Sequence, residues 1–412
     1  MAETYHLPER LERMQRLSLL VGGAGLAVGI LGGFFSGKVF FNGWLFAWYF
    51  WLSISLGGLG MVMLHHLTGG DWGLAIRREC EAAALVTPIM FVLFLPMMLG
   101  TYYLFPWGNH DWVQSDPILR AQHIYFNGLW FFLRNVCYFA CWSVLAAMLA
   151  SETMQFERTI DYRVVRKMRN LSAGGMVLFF VTVTLASYDW FMSREAHFYS
   201  TIIGLMVACG MGLSAMAFVT ALLAVLDDES EMLHFLTPPR LNDIGNLILT
   251  LVILWAYMSF AQLLIIWIGN IRTETPWYVH RGLGADPNGW RWIGLFLAFC
   301  GFLIPFLLLL SRDLKRHLPF LTAIAIGVLF VRAIDVLWLV APSAPPYVGT
   351  GHVVWLAIPL FFGIGGIWFW VFVYMLRRRP LLARTEEEPQ QEDHAPIASH
   401  EHGGARSAPG VG

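Results

Sequence analysis

The chain has 412 residues and a formal net charge of -1; 57% of its residues are hydrophobic and only 13% charged, against about 25% charged in soluble domains. That balance excludes a soluble globular protein and gives no reason to expect a nucleic-acid partner. It fits a chain whose main solvent is the lipid bilayer.

The opening stretch, AETYHLPERLERMQRLS, mixes acidic residues with arginines and has no small-residue cleavage site before the first apolar run. Residues 1–16 therefore read as a cytoplasmic segment and not as a cleavable signal peptide. Between 17 and 380 apolar runs of about 20 residues recur, each long enough to cross a hydrocarbon core of about 30 Å. There are ten, at 17–35, 44–66, 82–105, 127–150, 172–192, 199–226, 243–268, 291–310, 318–341 and 352–376. They predict an all-α integral membrane protein with ten transmembrane helices and no soluble domain between them.

The first run carries Gly25, Gly29 and Gly33 on one face, a small-residue stripe that lets two helices approach closely, within this chain or against another subunit. Residues 151–171 are highly charged and predict a cytoplasmic interfacial helix with a solvated face. From Leu381 the pattern changes to TEEEPQQEDHAPIASHEHGGARSAPGVG, too polar to bury itself, so 381–412 read as a disordered cytoplasmic tail. Its His394, His400 and His402 suggest at most adventitious metal binding.

Short loops on the side of the N-terminus hold 18 Lys and Arg, from Arg10 to Arg384; the opposite side holds five, Lys38, Arg120, Arg194, Arg272 and Arg281. The asymmetry predicts that both termini are cytoplasmic. Cys80, Cys137, Cys141, Cys209 and Cys300 form no CxxC or CxxCH, which leaves iron–sulfur and covalent c-type haem sites without support. Cys137 and Cys141 read as small packing residues. The histidines near the runs, His65, His66, His197, His317 and His352, fall near run ends, which argues against a bis-histidine haem inside the bundle.

Charges inside the apolar runs need a reason, because each costs about 2.5 to 3.5 kcal/mol at the centre of a membrane helix. Helical rise places Arg332 about 20 Å and Asp335 about 24 Å up the ninth run, Arg134 about 10 to 12 Å below the outer end of the fourth, and Asp189 about 25 Å up the fifth. Two arginines and two aspartates thus share one outer slab. It is either a neutral cluster that fixes helix register, with Arg332 and Asp335 pairing at i and i+3, or a proton-loading site. On the inner side His65 and His66, level with Asn246 and Thr250, suit either proton entry or interfacial anchoring. Asp189 and His197, bracketing the end of the fifth run, are either a quinone-adjacent pair or a helix-end hydrogen-bond arrangement.

Four separate runs, MLHHLTGGDWG, SYDWFMSREAHFYSTIIG, RLNDIGNLILTLVILWAYMSFAQLLIIWIGNIRTETPWYVHR and the DVLWLV after Arg332, closely resemble the F subunit of bacterial alternative complex III, and the resemblance extends over nearly the whole chain. It implies a bundle of the polysulfide-reductase membrane-subunit type. Runs two to five and six to nine would form two four-helix bundles, with the first and tenth helices peripheral. It also implies a non-redox subunit, not an enzyme alone, of a quinol:electron acceptor oxidoreductase in the bacterial cytoplasmic (inner) membrane. The expected partners are a homologous C-type membrane subunit, an iron–sulfur subunit, c-type cytochromes and a terminal oxidase. Haem c and the iron–sulfur clusters would then sit on partner subunits, with menaquinol or another quinol as substrate of the complex. Arg134, Asp189, Arg332, Asp335, His65 and His66 are the candidates for a proton path. A purely structural scaffold and an ion-coupled secondary transporter are the alternatives, although a transporter usually shows interrupted helices around a midplane site.

Overall fold

The structure is a computed structural model that describes residues 8–159, 161–226, 236–284, 288–343 and 350–378. The expected tail at 381–412, with His394, His400 and His402, lies outside the described residues. Among the described residues every regular element is helical. Ten helices are long and apolar enough to cross a membrane: Glu9–Phe35, Gly37–Thr68, Arg77–Leu99, Gly128–Thr159, Arg163–Arg194, Ile203–Leu226, Pro238–Gly269, Gly289–Leu310, Leu318–Ser343 and Val354–Leu376, the first to tenth spans. The protein is an all-α, multi-pass membrane protein.

Span boundaries follow local chemistry. A single extended residue, Ser36, separates the first two spans and caps the second by accepting from the Val39 N–H at 3.5 Å. The seventh span ends at Asn270 in the left-handed conformation, φ 43°, which closes off its last carbonyls. In the eighth span Pro305 supplies no N–H and crowds the carbonyl four residues earlier, and the helix widens to π geometry over Leu297–Leu303.

The charged stretch at 151–171 departs from expectation. The fourth span runs on to Thr159 and helix resumes at Tyr162, so the stretch is a helical hairpin standing beyond the apolar run. No Gly or Pro interrupts it, Phe156, Val164 and Met168 form a small core of their own, and Lys167 pairs with Glu152 at 2.5 Å. The segment expected to precede the first span is likewise helical from Glu9.

The second, third, fourth and fifth spans pack in a ring, as do the sixth, seventh, eighth and ninth. The second span meets the sixth at the seam between the two bundles, where a Cβ at Gly57 would overlap the Met211 carbonyl. Centrality shows in burial: 89% of the most apolar stretch of the second span and 78% of the sixth are covered, against 22% of the first, seventh and eighth. The first span packs on the tenth and the tenth on the second, outside the rings. Two members of the glycine stripe serve this contact: a Cβ on Gly25 would come within 2.5 Å of the Pro359 carbonyl oxygen and one on Gly29 would overlap Leu360, whereas Gly33 faces Phe40 of the second span. Gln15 donates to the Trp370 carbonyl at 3.1 Å and Arg377 to Glu12 at 2.5 Å, so the N-terminal end of the first span and the C-terminal end of the tenth lie together. That end is the terminal face, and the opposite end the far face.

Candidate functional site

Each bundle holds one Arg–Asp pair in its far third. Between the fourth and fifth spans, Arg134 donates to Asp189 from Nε at 3.0 Å and Nη2 at 2.7 Å, a two-pronged bond. The Tyr138 hydroxyl donates to the same carboxylate at 3.2 Å, and Arg134 reaches the Tyr125 carbonyl at 2.7 Å while its Cζ lies 3.8 Å from that ring's centroid. Asp189 is fully buried. In the second bundle Arg332 pairs with Asp335 one helical turn along the ninth span. Arg332 Nε also donates to Ser214 Oγ at 3.4 Å, and the Trp255 indole donates to Asp335. Gly210 of the sixth span makes the room, since a Cβ there would overlap the guanidinium.

The expected slab of four charges is therefore two closed pairs, one per bundle, with each carboxylate held by one arginine. Asp189 and His197 are not brought together. His197 turns to Asp116, Nε2 to Oδ2 at 2.8 Å, while Asp189 points into its own bundle. The direction in which a helix-end side chain leaves the helix was not readable from its position in the sequence.

At the terminal face His65 donates from Nε2 to the Gly70 carbonyl at 3.1 Å, and His66 Nδ1 meets the Ser172 hydroxyl at 3.0 Å. Both lie beside a buried ionic cluster that the sequence reading counted as loop charge: Arg77 approaches Glu81 at 3.8 Å and Glu157 at 3.7 Å, and Arg78 pairs with both glutamates. Glu79 is 1% exposed and neither of its carboxylate oxygens has a hydrogen-bond partner among the described residues. Asn246 instead accepts from Lys315 at 2.6 Å and Thr250 caps the Asn246 carbonyl at 2.8 Å, so this pair stands apart from the histidines.

A second group missed in the sequence closes the far face. Ser343 donates to Glu195 at 2.7 Å and accepts from Arg281 at 3.0 Å; Arg281 and His280 approach Glu195 at 3.6 and 3.5 Å. Burial by itself would push the Glu195 carboxyl up, but His280, Arg281 and Ser343 outweigh it and hold it below the ordinary carboxylate range. Burial brings Arg281 down to about 10 despite Glu195. Both residues sit just outside apolar runs, where a charge raises no alarm.

A cavity of about 1210 Å³ opens among the sixth to ninth spans, above the roughly 300 to 1,000 Å³ of compact ligand pockets. Arg332 and Asp335 line it, as do Trp255, Trp338 and Arg281. Tyr49 of the second span reaches it from the other bundle, close enough to both members of the ion pair to feel their charge. No His, Cys, Asp or Glu cluster suited to a metal ion occurs among the described residues.

No family model and no curated protein matches this chain.

Proposed function

We propose that the chain is an integral membrane subunit of a bacterial quinol:electron acceptor oxidoreductase of the alternative complex III type. On this reading it holds no redox centre and contributes a proton-conducting path, with its terminal face cytoplasmic. The partners are a C-type homologous membrane subunit, an iron–sulfur subunit, c-type cytochromes and a terminal oxidase, within the cytoplasmic membrane. The single observation that carries the proton path is the Arg332–Asp335 pair buried beside the cavity, with Tyr49 near both charges. A carboxylate neutralised by one guanidinium takes up a proton when another group competes for that guanidinium, and a cavity admits the competitor. The pair Asp189–Arg134 and the terminal-face residues His65 and His66 supply the same chemistry to the first bundle. A quinone-adjacent surface at Asp189 and His197 loses its geometric support, because the two face different partners.

A structural scaffold is the competing reading, and the closed geometry of both Arg–Asp pairs favours it. Mass spectrometry of the native assembly tests the partnership. Recovery with a homologous membrane subunit, an iron–sulfur subunit and c-type cytochromes is expected; recovery as a lone active carrier overturns it. For the proton path, Asp335→Asn is expected to assemble and oxidise quinol while losing energy coupling. Normal assembly and coupling in an Arg332→Gln, Asp335→Asn double variant would reject proton loading and leave the scaffold.

A further inference from the structure

The cavity is zoned along its depth. At the far face its mouth carries Trp292 and Trp338 together with the exposed Arg291, with Trp277 and Arg281 buried in its wall. Deeper, its walls are Ile253, Phe260, Leu263, Leu295 and Phe302, with the Arg332–Asp335 pair among them. Rise along the eighth span puts Phe302 about 20 Å below Gly289, so the apolar zone reaches well into the hydrocarbon layer. The cleft is also open sideways. The eighth span packs on the seventh from its π-helical turn onward, whereas its first part, Gly289–Phe296, packs on the ninth, so the seventh and eighth spans stand apart toward the far face. Phe260 and Leu295 are exposed on these two spans, where lipid would touch them.

Charge sorts the occupants. Three arginines line the cavity, Arg281, Arg291 and Arg332, against one acid, Asp335, which is taken up by Arg332. Glu195 answers Arg281, and Arg194, buried behind them, acts on Arg281 as a like charge. Among the described residues the mouth therefore keeps an excess of positive charge. The Arg281 Nε–H is buried without an acceptor among the described residues, and the positive end of the eighth helix opens nearby, capped by Asn288 at 3.0 Å from the Trp290 N–H. The mouth is held in shape: Asn288 donates to the His280 carbonyl at 3.0 Å, and Gly282, at φ +78°, lies so close to Asn288 and Arg291 that a Cβ would come within 2.6 and 2.9 Å of them.

An interfacial cationic and aromatic mouth above a long apolar cleft matches the zonation of a glycerophospholipid. We propose that this cleft holds one glycerophospholipid from the leaflet at the far face, with its phosphate at Arg291 beside the N-terminal end of the eighth span and an acyl chain between the seventh and eighth spans. The inference does not rest on the quinol reading, because it asks only for a phosphate at the mouth, although the acyl chain would share the cavity with the Arg332–Asp335 pair.

The test uses the full chain, in the assembly in which it purifies, stripped with non-ionic detergent and followed by native mass spectrometry. Phosphatidylglycerol, phosphatidylcholine and diacylglycerol of identical chains are added in turn. One phosphatidylglycerol is expected to bind saturably and diacylglycerol at least tenfold more weakly. Phosphatidylcholine equal to phosphatidylglycerol would assign recognition to the phosphate itself, and weaker binding to net charge; both support the site. Arg291→Gln should weaken phosphatidylglycerol about fivefold. Gly294→Leu should abolish binding by filling the cleft: a Cβ there meets nothing nearer than the Trp338 indole nitrogen at 3.5 Å, so the backbone need not move. Gly294→Ala, too small to block the cleft, should bind normally. Diacylglycerol binding as well as phosphatidylglycerol overturns the proposal. So does retention of phosphatidylglycerol unchanged in Arg291→Gln and Gly294→Leu, which would place it elsewhere on the protein.

Discussion

Asp189→Asn removes the charge from the pair between the fourth and fifth spans while preserving its size. Arg134 now presents two N–H groups to a side chain with only one oxygen, and the new amide turns a donor toward a guanidinium that has no acceptor to offer. Asp189 is fully buried and the Arg134 side chain 15% exposed, so the starting figure is that for breaking a buried ion pair, about 3 to 5 kcal/mol. Arg134 keeps its bond to the Tyr125 carbonyl and its seat over the Tyr125 ring in both forms, so these contacts cancel in the difference. A loss of about 3 to 5 kcal/mol follows. Unfolding of purified protein with increasing denaturing detergent, followed by circular dichroism, measures it. In the Arg134→Gln, Asp189→Asn double variant most of the loss should return, because no buried charge then lacks a partner. A single variant within about 0.5 kcal/mol of the parent, or a double variant as unstable as the sum of the singles, would refute the reasoning.

Gly210→Ala should displace the Arg332 guanidinium and cost about 1 to 3 kcal/mol, whereas Gly212→Ala on the same span, whose Cβ would meet Leu251 no closer than 3.5 Å, should be near neutral; the same detergent titration compares them. Acid should unfold the far-face cluster: Glu195 is held below its ordinary value of 4.5, so its stabilisation is complete above that pH and disappears as pH falls through the lower folded-state value. Glu195→Gln should remove this acid-side slope, and an unchanged slope in a stability-against-pH series would assign it to other groups.

The ten spans were legible because a membrane helix announces itself through length and hydropathy, and Arg332–Asp335 because a pair three residues apart on one helix shares a face. Their companions were not. Ser214 and Gly210 lie more than a hundred residues away from Arg332, and Tyr49 nearly three hundred, so only packing of the bundles brings them together. His197 was assigned to Asp189 by nearness in the chain, yet its partner Asp116 comes from the preceding far-face loop. Glu79 was invisible for another reason: a glutamate beside two arginines at a span end looks solvated until the second and tenth helices are seen to cover it.

The glycine seam between the first and tenth spans sets an order on biogenesis. At about 5 to 20 residues per second, synthesis from Phe35 to Thr350 occupies roughly 15 to 60 s. Throughout that interval the first helix is in the membrane with Gly22 and Gly25 facing lipid or whatever chain passes. Its binding face is complete long before its partner exists, so any truncation that removes the tenth helix leaves a permanent adhesive surface for quality control to find.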